Sequence, residues 1–163
     1  MNGYENVEVV ALMNVFISYS GADLSSVRQI AEKIKPFAGP KFWDQDQMPG
    51  KEAWPTIFSW IDSAKCAIVV ITDNVVARGE SVNQEIGYAR AKGKIIIPLV
   101  SNGVPKDRLG CLNGVTYIPF DTAQPQAAID AIILQIKSLL SEADFWTVIV
   151  VLGIIGFVFA LTR

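Results

Sequence analysis

Residues 66–100 read CAIVVITDNVVARGESVNQEIGYARAKGKIIIPLV and predict a strand, a loop, a helix and a second strand. The apolar runs at 67–72 and 94–100 are continuous and rich in β-branched residues. Such runs are typical of parallel strands that crossover helices bury on both faces. This unit therefore predicts an α/β fold.

The helix between the two runs carries Glu85. Ser81 is predicted to be its N-cap, with Gln84 completing a capping box, and Gly93 is predicted to be its C′ residue. Glu85 falls roughly 60° from the centre of the apolar face at 100° per residue, which predicts a position at the boundary between core and surface. A solvated helix face is the ordinary interpretation of such a glutamate. The alternative is a functional role, because open α/β sheets place ligands beyond the carboxyl ends of their strands.

The rest of the chain alternates strands and helices in the same way. The predicted strands are 14–19, 41–44, 67–72, 95–100 and 115–120, and the predicted helices begin at Asp23, Trp54, Ser81 and Pro125. Short loops between them predict a flavodoxin-like five-stranded parallel sheet, in the order 2-1-3-4-5, with helices on both faces. The carboxyl edge of that sheet would bring together residues 18–23, 44–54 and 72–85.

The length of 163 residues allows one α/β domain. Residues 145–162 are uncharged and almost all apolar, which meets the usual length for a transmembrane helix. We therefore divide the chain into a leader at 1–12, a domain at 13–141 and a transmembrane helix at 145–162. A buried helix within an oligomer is the alternative for the last segment.

Composition excludes several kinds of chemistry. The chain has no histidine, which excludes Ser-His and Cys-His catalysis and histidine-ligated metals. Its net charge of −2 and the absence of a basic stripe argue against a nucleic-acid partner. Cys66 and Cys111 form no C-x-x-C pair and are predicted to be buried free thiols. Catalysis is therefore left to carboxylates, hydroxyls, amides and aromatic rings.

Three blocks of sequence resemble a Toll/interleukin-1 receptor (TIR) domain, particularly the bacterial kind. They are NVFISYS at 14–20, FWDQDQMPGKEAW at 42–54 and NQEIGYARAKGKIIIPLV at 83–100. The first is similar to the opening strand and loop of the family, the second to its long loop after strand two, and the third to the helix that carries its catalytic glutamate. The resemblance covers roughly residues 13–141.

The resemblance implies cleavage of NAD⁺ at the nicotinamide–ribose bond, giving nicotinamide and ADP-ribose or a cyclised isomer. NAD⁺ would be the substrate, with no resident cofactor or metal. Glu85 matches the catalytic position, where a carboxylate faces the anomeric carbon as it becomes oxocarbenium-like. The implied substrate contacts are Ser18, Tyr19, Ser20, Asp46, Trp54 and Arg78, and the implied assembly loop is Met48, Pro49 and Gly50.

One position departs from the family pattern. Many NAD-cleaving members have an aromatic residue four positions before the glutamate, where this chain has Ser81. Trp54 or Tyr88 would then supply the ring that packs against the substrate.

The resemblance also implies partners and a location. Other TIR domains or an activating sensor protein would assemble with the domain, which would act in antiphage defence. The domain would lie in the cytoplasm, where its implied substrate is found, and the apolar sequence of residues 145–162 predicts that it is anchored in membrane lipid. A non-enzymatic TIR adaptor is one alternative, with the assembly loop as an interaction surface. A nucleoside deoxyribosyltransferase-like enzyme is another, because it also places a carboxylate at an anomeric carbon.

Overall fold

The computed structural model describes residues 13–44, 50, 52–74 and 80–140. Its strands form one sheet in which every neighbouring pair is parallel, in the predicted order β2-β1-β3-β4-β5. The strands are β1 Asn14–Ser18, β2 Gly39–Lys41, β3 Cys66–Ile71, β4 Ile95–Ser101 and β5 Ile118–Phe120. The flavodoxin-like prediction for the sheet is confirmed.

Helices cover both faces of the sheet. The α-helices are α1 Leu24–Ile34, α2 Ala53–Ser63, α3 Glu80–Ala91 and α4 Gln126–Leu139. α1 and α4 pack on one face, where Ile30 meets Ile68 of β3. α2 and α3 pack on the other face, where Ile86 meets Val69 of the same strand. Successive β3 side chains therefore enter opposite layers of the core, as the alternation of a pleated strand requires.

β3 is the central strand, and all six of its residues are buried. Cys66 opens it as a free thiol, as predicted, and burial raises the pKa of that thiol to about 12. Cys111, the other free cysteine, is only half-buried. Continuous apolar sequence thus marks the strand that has a helix layer on each side.

The two edge strands are shorter than predicted, with three residues each. β2 was expected at 41–44, but its register pairs Gly39 with Asn14 and Lys41 with Phe16. The strand therefore ends at Lys41, and residues 42–44 leave the sheet at its carboxyl edge. Both edge strands have proline as their middle residue, Pro40 and Pro119.

The two ends of α3 differ in how well they were predicted. The helix already includes Glu80, so Ser81 lies in its first turn and the predicted N-cap is wrong. The C-terminal prediction is confirmed: Gly93 has φ +67° and its N–H donates to Arg90 C=O, while the N–H of Lys94 donates to Ala89 C=O, both at 2.9 Å. This pair of bonds is a Schellman motif.

Two predicted segments, the leader 1–12 and the transmembrane helix 145–162, lie outside the described residues. Within the described ranges, no helix is long and apolar enough to cross a membrane.

Candidate active site

A cleft of about 250 Å³ opens at the carboxyl edge of the sheet. It lies between the end of β1, the segment after β2 and the first turns of α2 and α3. Aromatic side chains supply much of its wall, namely Phe16, Tyr19, Trp43 and Trp54. Glu85 and Ser81, one helical turn apart on α3, also line it. The three chain regions that the sequence predicted to converge therefore do so here.

Glu85 is buried at this cleft, with 8% of its surface exposed. The hydroxyl of Ser18, the last residue of β1, donates a hydrogen bond to Glu85 Oε2. Ser18 is itself 2% exposed. The prediction of a core–surface boundary understated the burial of Glu85, because the end of β1 packs against this turn of α3 and excludes water from the carboxylate.

The same burial changes the acidity of Glu85. Desolvation raises the pKa of Glu85 from 4.5 to about 7, and the hydrogen bond from Ser18 opposes part of that rise. A carboxylate with a pKa in this range changes charge near neutral pH. Perturbed carboxylates in clefts are typical of functional sites, although structural networks also produce them.

Tyr19 joins two walls of the cleft. Its phenol O–H donates to the carbonyl oxygen of Trp43, and its ring packs edge-on against Phe42 with centroids 6.2 Å apart. The loop after β1 and the segment after β2 are thereby fixed to each other. Trp43, which the sequence reasoning missed as a cleft residue, is placed by this bond. The sequence placed residue 43 inside the predicted strand 41–44, so its position beyond the end of β2 emerged only from the structure.

The structure distinguishes the two rings proposed to compensate for Ser81. Trp54 lines the cleft, stays 36% exposed and packs on Phe58 with ring centroids 5.4 Å apart. Tyr88 is not among the cleft residues; its ring packs on Phe58 with centroids 4.4 Å apart, and its hydroxyl donates to Asp62. Trp54 is therefore the ring available to a ligand.

Two buried aspartates support the cleft without lining it. Asp23 is the N-cap residue of α1, as predicted, but its side chain makes no capping bond. Its carboxylate instead accepts hydrogen bonds from Thr72 Oγ1 at 2.7 Å and Asn74 Nδ2 at 3.0 Å, which join the start of α1 to the end of β3. Asp44 is 2% exposed and accepts from both Nε and Nη2 of Arg28, at 3.1 and 2.7 Å. Asp44 is thus a structural ion-pair residue.

A protein-family model, described as a TIR domain, matches residues 15–133. This chain belongs to the TIR family. The match covers β1 from its second residue onward, the other four strands and every described cleft residue. A search of curated proteins found no match.

Solved structures agree with this assignment of the fold. The TIR-STING receptor of C. gigas, in complex with 2′,3′-cGAMP, superposes with a TM-score of 0.63 at 25% identity, over 77% of this chain and 40% of that one. The TIR domain of the Toll-related receptor TRR-2 of Hydra magnipapillata gives 0.58 at 19% identity, over 77% and 98%. The TIR domains of the activated Roq1 resistosome, which recognises the effector XopQ, give 0.50 at 17% identity, over 75% and 73%. The chain spans less than half the length of the TIR-STING receptor.

The remaining predicted site residues of this TIR domain fall into two groups. Ser20 is half-buried beside the cleft but is not among its lining residues, and Gly50 is exposed with φ +77°, a left-handed conformation that suits glycine. Asp46, Met48, Pro49 and Arg78 lie outside the described residues. In the described part of the chain, no cluster of three or more Cys, Asp or Glu side chains is placed to hold a metal ion.

Proposed function

We propose that this TIR protein cleaves NAD⁺ at the nicotinamide–ribose bond, as a glycohydrolase or a cyclase, with Glu85 as the catalytic carboxylate. The observation that carries the proposal is the buried Glu85–Ser18 pair in an aromatic cleft at the carboxyl edge of the sheet. TIR family membership supports it, since the block around Glu85 is the one that resembles the family's catalytic helix.

The chemistry requires neither a histidine nor a metal ion. Breaking the C1′–N bond sends its electron pair to a nicotinamide that is already cationic, so the leaving group needs no proton. The ribose becomes oxocarbenium-like, and the Glu85 carboxylate stabilises that positive charge across the cleft. Attack by water, which then loses a proton, gives ADP-ribose; attack by an adenine nitrogen or a ribose oxygen closes a cyclic product.

The cleft also limits how the substrate binds. The exposed face of Trp54 and the ring of Tyr19 suit the flat nicotinamide or adenine ring. The half-buried Ser20, beside the cleft, suits ribose or diphosphate through its hydroxyl. A volume of about 250 Å³ lies below the usual range for ligand pockets, about 300–1,000 Å³. One chain therefore encloses part of a dinucleotide, and a neighbouring chain, through Met48, Pro49 and Gly50, would enclose the rest.

We further propose that residues 145–162 anchor the chain in a membrane, with the TIR domain in the cytoplasm where NAD⁺ is found. The support is the uncharged apolar sequence of that segment. Tethering raises the local concentration of the domain and favours such shared sites. A partner that triggers this assembly, as in bacterial antiphage defence, completes the proposal.

The decisive experiment measures nicotinamide release from NAD⁺ by the full chain in membranes at high protein density. Glu85→Gln should lower release at least about 100-fold, the size expected when a group that stabilises transition-state charge is lost. Glu80→Gln is the matched control, because Glu80 is an exposed glutamate on the same helix and lies outside the cleft. Release that survives in Glu85→Gln would remove this residue from the mechanism.

A non-enzymatic TIR adaptor is the second candidate, and the observation that favours it is Ser81 at the cleft wall where many NAD-cleaving members carry a ring. An adaptor would release no nicotinamide in wild type or either variant, yet would capture a TIR-containing partner. A deoxyribosyltransferase-like activity would instead consume nucleosides, which product analysis with both substrates would reveal.

A further inference from the structure

The C-terminal ends of the helices lie at the edge of the sheet opposite the cleft. With parallel strands and right-handed crossovers, each helix runs back against the strands, so helix C-termini and strand starts share the amino-terminal edge. Two hydrogen bonds show this arrangement. Lys65, just before β3, donates from Nζ to the carbonyl oxygen of Leu139 at the end of α4. Lys94, just before β4, donates from Nζ to the carbonyl oxygen of Asp62 near the end of α2, at 2.7 Å.

Basic side chains are concentrated at this amino-terminal edge, in the last turns of helices or just before strands, and most are exposed. They include Lys33, Lys65, Arg90, Lys92, Lys94 and Lys137. Among the described residues, the acidic side chains here are Glu32, paired with Lys35, and Asp62, paired with Lys92. The edge is therefore positively charged although the whole chain is slightly acidic.

Helix dipoles account for part of this pattern, since cations are favoured at helix C-termini. Lys33, Arg90 and Lys137 fit that explanation because they lie in last turns. Lys65 and Lys94 precede strands, but their Nζ groups donate to carbonyls at the C-terminal ends of α4 and α2, so they stabilise helix ends as well. Helix ends therefore account for these charges one by one, and the parallel fold brings them together on a single edge of the sheet.

The same edge is where the chain leaves the domain. α4 ends at Leu139, fixed there by Lys65, and the apolar segment 145–162 begins a few residues later. The intervening residues 141–144 span at most about 14 Å when fully extended. They carry Glu142 and Asp144, two carboxylates that the basic residues of the edge outnumber. A bilayer that held 145–162 would therefore lie close to this surface.

We infer that the amino-terminal edge is the membrane-facing surface of the domain and docks on anionic lipid headgroups. The inference rests on the proposed anchoring by 145–162 and adds an orientation and a lipid class to it. Lysine and arginine side chains near an anionic bilayer are attracted to its surface potential, within about one Debye length. The cleft lies at the other end of the strands, about 20 Å farther out over the six residues of β3. It consequently opens away from the bilayer, toward dissolved substrate and neighbouring chains.

Amine labelling of the full chain in vesicles tests this orientation. The chain is reconstituted in phosphatidylcholine alone or with phosphatidylglycerol, treated with a water-soluble acetylating reagent, and each lysine is quantified by mass spectrometry. On anionic vesicles, labelling of Lys33 and Lys137 should fall severalfold relative to neutral vesicles, and high salt should restore it. Lys41 and Lys106, exposed at or near the carboxyl edge, should label equally on both.

A pair of double variants with the same change of charge provides the control. Lys33→Glu/Arg90→Glu reverses two charges of the basic edge, and Lys106→Glu/Arg108→Glu reverses two on the opposite side, after β4. Because each basic residue near an anionic surface strengthens binding about fivefold, the first pair should abolish the anionic protection of Lys137 and the second should preserve it. Equal protection on neutral and anionic lipid, or equal loss in both variants, would overturn the inference.

The anchor and the activity have separate readouts. Flotation of the full chain with neutral vesicles tests residues 145–162, and nicotinamide release tests the cleft. A chain that floats with neutral vesicles but shows no anionic protection retains its anchor and refutes the basic edge as a docking surface. A chain that floats with neither vesicle refutes both.

Discussion

The two edges of the sheet treat their carboxylates in opposite ways. At the amino-terminal edge, Asp62 lies in water and its pKa is lowered, chiefly by hydrogen bonding to Lys92. At the carboxyl edge, Glu85 is buried beneath aromatic rings and its pKa is raised to about 7. Asp62 therefore lies beside lysines in water, which screens their charge. Glu85 is instead shielded from water, and the Ser18 hydroxyl donates a hydrogen bond to its carboxylate.

The difference shows that proximity of charges matters less than access of water. Exposed ion pairs are screened and contribute little to stability, whereas a desolvated group responds strongly to each neighbour. The cleft is therefore the region where single substitutions should change both stability and pH dependence. The basic edge should respond mainly to salt and to surfaces.

The largest effect on stability is expected for Glu85→Gln. Below about pH 4.5, Glu85 is protonated in both the folded and the unfolded chain. Between about pH 4.5 and 7, the unfolded chain loses this proton while the folded chain keeps it. The free energy of unfolding therefore falls as the pH rises through this range and levels off above pH 7. The shift corresponds to about 3 kcal/mol. Glu85→Gln removes this fall and should be about 3 kcal/mol more stable than wild type near pH 8, with little difference near pH 4.

Urea unfolding of the full chain across that pH range provides the measurement. Glu80→Gln, which alters an exposed glutamate, should follow the wild-type curve. A Glu85→Gln variant that keeps the wild-type pH dependence would show that the carboxyl is ionised in the folded state well below pH 7.

Asp23→Ala should lower the free energy of unfolding by about 2 kcal/mol, because it leaves the buried Thr72 hydroxyl without its acceptor and frees Asn74. Asp23→Asn is the matched control, since it keeps the shape and one acceptor oxygen and should lose less. Thermal unfolding of the three proteins at one pH tests the order. Equal stability of wild type and Asp23→Ala would show that water replaces the aspartate.

Ser18→Ala should shift the pH profile of nicotinamide release to higher pH. The Ser18 hydroxyl favours the ionised form of Glu85, so its loss raises the pKa of Glu85 further and lowers the carboxylate fraction at neutral pH. Release near neutral pH should fall severalfold, while the plateau at high pH is largely kept. Ser18→Thr, which retains a hydroxyl, should restore the wild-type midpoint; an unshifted midpoint in Ser18→Ala would contradict the coupling.

The smallest effect is expected at the other edge. Asp62 and Lys92 form their ion pair at 3.2 Å with both side chains exposed, and the lowered pKa of Asp62 means that the pair is present at neutral pH and lost as pH falls below the ordinary range. Asp62→Asn should leave the free energy of unfolding unchanged within error, at low and high salt alike. If Asp62→Asn lowered the free energy of unfolding as much as Asp23→Ala, the two edges of the sheet would not differ in how strongly their carboxylates affect stability.

The central parallel strands and the position of Glu85 were readable from the sequence for the same reason, whereas the strand order followed from the rule of right-handed crossovers. Continuous apolar runs are produced by burial on both faces, and a helix after such a strand must start at the carboxyl edge. The end of α3 at Gly93 was also readable from the local sequence, because the C′ position of a Schellman motif requires a residue in the left-handed conformation. These features depend on neighbours within one or two turns.

The missed features depend on residues distant in sequence. Ser18 and Glu85 are 67 positions apart, and Asp23 and Thr72 are 49 apart. No local pattern indicates that a serine will cover a glutamate, or that an apparent helix cap will bond to a strand end. The strand β2 lies at Gly39–Lys41 because of its pairing with β1. Three residues are too few for a hydrophobic pattern in the sequence to reveal that pairing.

The short proline-centred edge strands have a consequence for assembly. An open sheet edge can pair with a strand of another chain, which leads to aggregation. The risk is greater for a protein that is concentrated on a surface. Pro40 and Pro119 each lack the backbone N–H that an incoming strand would need, and each edge is three residues long. If copies of the domain assemble as proposed, these edges oppose the growth of a continuous cross-β ribbon, and the contacts would have to use helix faces and loops, which can separate again.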